Sequence, residues 1–263
     1  MGKEGLDEVK ISKAIIETCV KDLLEATEPE VAIAGAGPAG MTTAYYLAKG
    51  GVKTVIFERK LSVGGGMWGG GMMFPRIVLQ EGGREILDEF DVSSHEYEDG
   101  YWVADAVEAV STIASRTIKA GARIFNLISV EDVMIREEDR ICGLVLNWSA
   151  VGLAHLHVDP LTIRSKVVVD ATGHDCAVCR IVAKKIGPKL RTKTGEVLGE
   201  KPMWADVGES AILENTKEVY PGLFVAGMAA NAVFGSPRMG AIFGGMLVSG
   251  KKAAEIISAS LSS

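Results

Sequence analysis

The stretch that most restricts what this chain can fold into is residues 31–59, VAIAGAGPAGMTTAYYLAKGGVKTVIFER. A short apolar run leads into Gly35, Gly37 and Gly40 at G-x-G-x-x-G spacing. A segment of helical character then reaches Gly50 and Gly51, and a second apolar run ends in Glu58. That order predicts strand, glycine turn, helix and a second, parallel strand. Glycines are needed where backbone must turn sharply and where a ligand's phosphates approach it. The helix N-terminus would turn free N–H groups toward a pyrophosphate, and Glu58 could accept from a ribose hydroxyl. An acid at that place favours NAD or FAD over NADP. The bland alternative is a glycine turn that holds no ligand. The fold class expected is α/β, a doubly wound FAD/NAD-binding fold with inserted β-strands.

The flanking sequence fits one NAD-binding α/β domain spanning residues 1–263. Ile15, Ile16, Cys19, Val20, Leu23 and Leu24 recur at helical spacing, predicting an N-terminal amphipathic helix over about residues 8–26, with Ser12 a candidate N-cap. It would dock on the sheet or on a partner subunit. Residues 64–71, GGGMWGGG, are too glycine-rich for regular structure and suggest close approach to a ligand. Residues 105–120 read as a helix, 123–126 as a strand, and 130–148 as two strands around a charged turn. SKVVVDATGHD has the continuous apolar run of a buried parallel strand, with a helix expected at 177–186. Residues 184–202 form a polar connection expected to be mobile. A strand, a glycine-rich crossing and a long terminal helix complete the chain.

Composition removes several functions. With 28 Lys and Arg against 34 Asp and Glu, net charge −6, and no basic run longer than a pair, the chain offers no footprint for nucleic acid. Apolar stretches stop well short of the roughly 20 residues that span a bilayer. The opening MGKEGLDEVK threads charges through its apolar positions, unlike a secretory signal, and Leu6 stands where myristoylation would require Ser or Thr. A cytoplasmic protein acting on small molecules is expected. Four cysteines, Cys19, Cys142, Cys176 and Cys179, are too few for a disulfide scaffold in so long a chain. Cys176 and Cys179 form one C-x-x-C pair with no second pair to close a tetrahedral metal site, and read as packed thiols.

AHLHVDP, residues 154–160, contains two of the chain's four histidines. If extended, it would project His155, His157 and Asp159 from one face as a metal or acid/base cluster. The alternative is that Asp159 caps a turn before Pro160 and that the histidines are ordinary hydrogen-bonded residues. Imidazole titrates near neutrality, which makes His155 the candidate for proton transfer.

Residues 31–59, with the later ATG at 171–173, resemble the two-dinucleotide-binding flavoproteins. In that fold a late acid binds the flavin ribitol, but here LFVAGMAA places Met228 there, against FAD. Taken with GGGMWGGGM, AHLHVDP, DATGHD and GSPRMGAIFGGM, the chain is similar over nearly its whole length to the thiamine thiazole synthase family. The resemblance implies that NAD is consumed as a substrate. Nicotinamide leaves, the ADP-ribose condenses with glycine, and sulfur closes a thiazole ring to give ADP-thiazole.

It further implies Fe(II) bound by Asp159 and His174, and Arg238 clamping the glycine carboxylate. The nucleotide would lie along Gly35, Gly37, Ala39, Gly40, Glu58, Arg59, Gly66, Val130 and Met228. His157, Val158 and Asp159 would reach it across a subunit boundary, in a homo-oligomer, by resemblance an octamer. Relatives with a sulfur-donating cysteine carry it at the position of His157. Imidazole holds no sulfur, so free sulfide and multiple turnover are expected. Rival readings are a ribose 1,5-bisphosphate isomerase-like enzyme, a flavin-dependent oxidoreductase and a non-catalytic NAD sensor.

Overall fold

A computed structural model describes residues 5–262; Met1 and Gly2, where an acyl signal would be read, lie outside them. The strands are β1 (Val31–Ala34), β2 (Thr54–Glu58), β3 (Arg76–Leu79), β4 (Ser94–Glu98), β5 (Tyr101–Asp105), β6 (Arg123–Asn126), β7 (Ile128–Arg136), β8 (Arg140–Trp148), β9 (Leu161–Arg164), β10 (Val167–Asp170), β11 (Glu218–Tyr220) and β12 (Leu223–Val225). The helices are α1 (Glu8–Glu25), α2 (Pro38–Lys49), α3 (Glu81–Phe90), α4 (Ala106–Lys119), α5 (Ser149–Leu153), α6 (Ala177–Ile186), α7 (Ala205–Asn215), α8 (Met228–Phe234) and α9 (Gly244–Leu261). None of these helices is long and apolar enough to cross a membrane.

The central sheet has the order β11-β12-β10-β1-β2-β6, parallel except for β11. From β1 the chain builds outward through β2 and β6 on one side, then returns to add β10 and β12 on the other. The direction of winding therefore reverses between β1 and β10, the place where doubly wound sheets leave a crevice. Every residue of β1, β2 and β10 is buried, because both faces are covered. Val31, Ile33, Ile56, Val167 and Val169 pack with α2, α4 and α9. Ala32, Val55, Phe57 and Val168 face the other way, onto α6, α8 and the antiparallel sheet β7-β8-β9. Their unbroken apolar runs follow from this two-sided burial.

Four sequence expectations change. The cap of α1 is Asp7, whose carboxylate accepts from the N–H groups of Val9 and Lys10; Ser12 lies inside the helix and its hydroxyl donates to Glu8 O. The helix buries none of its own side chains, so it does not cover the sheet; Arg123 ties its C-terminal end by ion pairs to Asp22 and Glu25. Glycine-rich 65–69 is regular, forming a 3-10 turn, Gly65–Gly69. The polar connection is anchored rather than loose, because its backbone finds partners in neighbouring elements. Leu190 is buried, and the N–H groups of Arg191, Leu198 and Lys201 donate to Val219, Val233 and Ser236.

Candidate functional site

A cavity of about 1160 Å³ opens at the carboxyl ends of β1, β2 and β10, lined by the glycine turn, residues 65–72, the 171–175 turn, residues 200–203 and residues 238–241. That is room for a ligand larger than an ordinary drug-sized molecule. The three glycines have separate jobs. Gly35 has φ +99°, and a Cβ there would lie 2.5 Å from Ala171 O, so it lets β1 turn directly against β10. A Cβ on Gly40 would sit 2.1 Å from Gly35 O, so α2 can close onto the turn only without one. Gly37 meets nothing within 4 Å and leaves its backbone open to the cavity. Pro38 begins the helix, where its missing N–H costs nothing.

Glu58 is buried at the end of β2. One of its oxygens accepts from Ala36 N–H and the other from Lys60 N–H, both at 2.8 Å. The carboxylate braces the turn and keeps lone pairs for a hydroxyl. Arg59 reaches across the cavity mouth to Asp175 at 2.7 Å. Ala39, Gly66, Val130 and Met228 all line the cavity. Met228, at the first position of α8, presents a thioether, which cannot bind sugar hydroxyls as a carboxylate does.

His174 stands in the 3-10 turn Gly173–Asp175 and lines the cavity. Its Nδ1 is 2.6 Å from Glu200 Oε1. Glu200 is a residue that the sequence reading missed: it lies 26 positions from His174, in a polar connection where one acid looks like any other. Arg238 also faces the cavity. Its backbone is held by Lys201 O at 3.2 Å and Trp204 N–H at 3.0 Å, while its guanidinium pairs with no carboxylate among the described residues. It is free to take a ligand carboxylate as a planar fork.

The 154–160 segment differs from expectation. Backbone bonds from Ala154, His155 and Leu156 to the carbonyls of Ala150, Gly152 and Val151 extend the end of α5 as far as Leu156, and His155 takes a left-handed φ of +52°. The backbone is therefore not extended at His155, and the one-face alternation with His157 and Asp159 is lost. β9 begins only at Leu161, after the proline. His155, His157, Val158 and Asp159 are all exposed, and none lines this cavity. Among the described residues no three His, Cys, Asp or Glu side chains cluster to hold a metal. The donor chemistry of His174 suits a metal, since a carboxylate on one ring nitrogen leaves the other as ligand. Asp159 is not among the residues that line this cavity.

Cys176 and Cys179 are buried. Burial pushes the Cys176 thiol up to about 12 and raises Cys179 as well, with Asp170 adding to both. They stay protonated and packed, and a thiol is a poor nucleophile in that state.

Comparison with known proteins places this geometry. The Thi4 family profile matches residues 12–243. The thiamine thiazole synthase of Methanothermobacter thermautotrophicus is 63% identical over 252 residues, covering 96% of this chain and 97% of that protein. The thiamine thiazole synthase of Pyrococcus furiosus is 56% identical over 249 residues, covering 95% and 96%. Among solved structures, THI4 of Thermovibrio ammonificans superposes with a TM-score of 0.97 at 56% identity, covering 98% of this chain and 100% of that one. A geranylgeranyl bacteriochlorophyll reductase-like protein of Thermoplasma acidophilum, 16% identical with a TM-score of 0.56 over 89% of this chain and 79% of its own, shares the flavoprotein-type fold alone. The chain belongs to the Thi4 family, whose relatives are named for thiazole synthesis.

Proposed function

We propose that this chain is a cytoplasmic, sulfide-dependent ADP-thiazole synthase, a transferase of thiamine biosynthesis that converts NAD, glycine and sulfide with Fe(II) over multiple turnovers and releases nicotinamide. The observation that supports the reading is one cavity shared by the glycine turn, the buried Glu58, His174 and an Arg238 that has no carboxylate partner among the described residues. Free N–H groups at the start of α2 hold the pyrophosphate. Glu58 orients the ribose, and Arg238 clamps the glycine carboxylate beside it. His174, and Asp159 from a second protomer, hold the iron, which when bound supplies a Lewis-acidic centre with open positions. His155 and His157 arrive on the same exposed segment as Asp159, with His155 in the proton-transfer role. Because position 157 is an imidazole, the sulfur comes from solution and the protein is not consumed. FAD is not part of this reading.

The test is anaerobic incubation of the purified protein with NAD, glycine, sulfide and Fe(II), followed by mass spectrometry for ADP-thiazole and free nicotinamide. Omitting sulfide should abolish the product, which an isomerase acting on a phosphorylated ribose would not require. No ADP-thiazole with iron replete would sink the proposal.

A further inference from the structure

We infer that Glu200 is a positioning residue for His174: its carboxylate accepts a hydrogen bond from Nδ1–H and so presents the Nε2 lone pair to the metal. The inference rests on the reading above that a divalent metal binds at His174. An ionised carboxylate can only accept, so a 2.6 Å contact to Nδ1 requires the proton on that nitrogen. Carboxylates that orient metal-binding imidazoles act in this way.

The rest of the geometry suits the role. Glu200 is much less exposed than His174, 18% against 48% of the side chain, so the carboxylate is the fixed member and the ring the one facing the ligand. Gly199, at φ +79°, turns the chain just before it. Immediately after it, Lys201 N–H donates to Ser236 O at 3.1 Å, and Lys201 O accepts from Arg238 N–H at 3.2 Å. One short bridge thus fixes Glu200, and through it the imidazole, in register with Arg238. Metal ligand and carboxylate clamp are held on a common frame although they lie 64 residues apart in sequence (238 − 174).

The test uses the full-length protein, Co(II) as an anaerobic probe, and the variants Glu200→Ala, Glu200→Gln and His174→Ala. Glu200→Ala should weaken Co(II) binding by about 10- to 100-fold and alter the visible Co(II) spectrum. Glu200→Gln, which still accepts from Nδ1 through a neutral oxygen, should lose less. The far-UV circular dichroism spectrum and the thermal unfolding midpoint should stay at the wild-type values in both, which reports an intact fold. In metal-free protein, ¹⁵N NMR should show the Nδ1–H tautomer of His174 and its loss in Glu200→Ala. If His174→Ala abolishes Co(II) binding while both Glu200 variants bind like wild type, the positioning role is wrong and the metal reading survives. If His174→Ala binds Co(II) like wild type, the metal reading falls and takes this inference with it.

Discussion

Arg238 and Glu209 show how much a single side chain depends on what lies beside it. Arg238 lines the cavity with no carboxylate partner among the described residues, and a charge-assisted pair with a substrate carboxylate contributes about 1.5–3 kcal/mol. Arg238→Ala should therefore raise the glycine KM by about 10- to 100-fold in steady-state assays, and Arg238→Lys should recover only part of it, because an ammonium lacks the planar fork. Glu209 is buried on α7 with one oxygen unpartnered, and burial raises its carboxyl from 4.5 to about 7 despite a bond from Gly245 N–H. The folded state thus holds this proton more tightly than the unfolded state. The associated stability is fully present below about pH 4.5 and is lost as pH rises toward 7. Glu209→Gln should stabilise the protein at pH 8 by up to about 3 kcal/mol and change little at pH 4.5. Urea unfolding at fixed protomer concentration checks both signs. The position of Glu58 at the end of β2 was readable from sequence because it is set by the motif. Glu200 was not, since its partner is remote in sequence.

At the scale of elements, local pattern was a good guide wherever an element is completed by its own neighbours. Helix α6 spans Ala177–Ile186 as the periodicity implies, and Asp105 caps α4 through the N–H groups of Val107 and Glu108. At 154–160 the extended alternative fails at His155, because the N–H groups of Ala154, His155 and Leu156 bond back to the end of α5. Helix α1 is the informative case. Its apolar residues Ile16, Val20 and Leu24 fall on one face at i, i+4 and i+8, yet are 60%, 49% and 66% exposed. Such a face is the kind that proteins use for docking a partner. The double variant Ile16→Asp, Val20→Asp should leave helix content unchanged and lower the mass of the assembly by light scattering. An unaltered mass would show that α1 is not at a subunit contact.

The whole molecule raises the question of where Asp159 acts. The cavity contains His174 but not Asp159, so the proposed site needs two protomers. Asp159→Ala and His174→Ala should each be inactive alone. Co-assembled in equal amounts they should regain about a quarter of wild-type activity, since a random mixture of chains pairs an intact His174 with an intact Asp159 at that frequency. If the mixture stays inactive although mass spectrometry finds mixed oligomers, the shared site is refuted.

The sequence by itself determined the β1-turn-α2-β2 unit with its glycine turn and the buried parallel strands, because each depends on residues close along the chain and on the periods of helix and strand. Tertiary structure decided the rest. It placed the winding reversal between β1 and β10, joined Glu200 to His174, and left α1 and residues 155–159 on the surface. Those outcomes are contacts between distant segments, and which of two exposed polar groups meet is set by how the layers pack rather than by any local pattern.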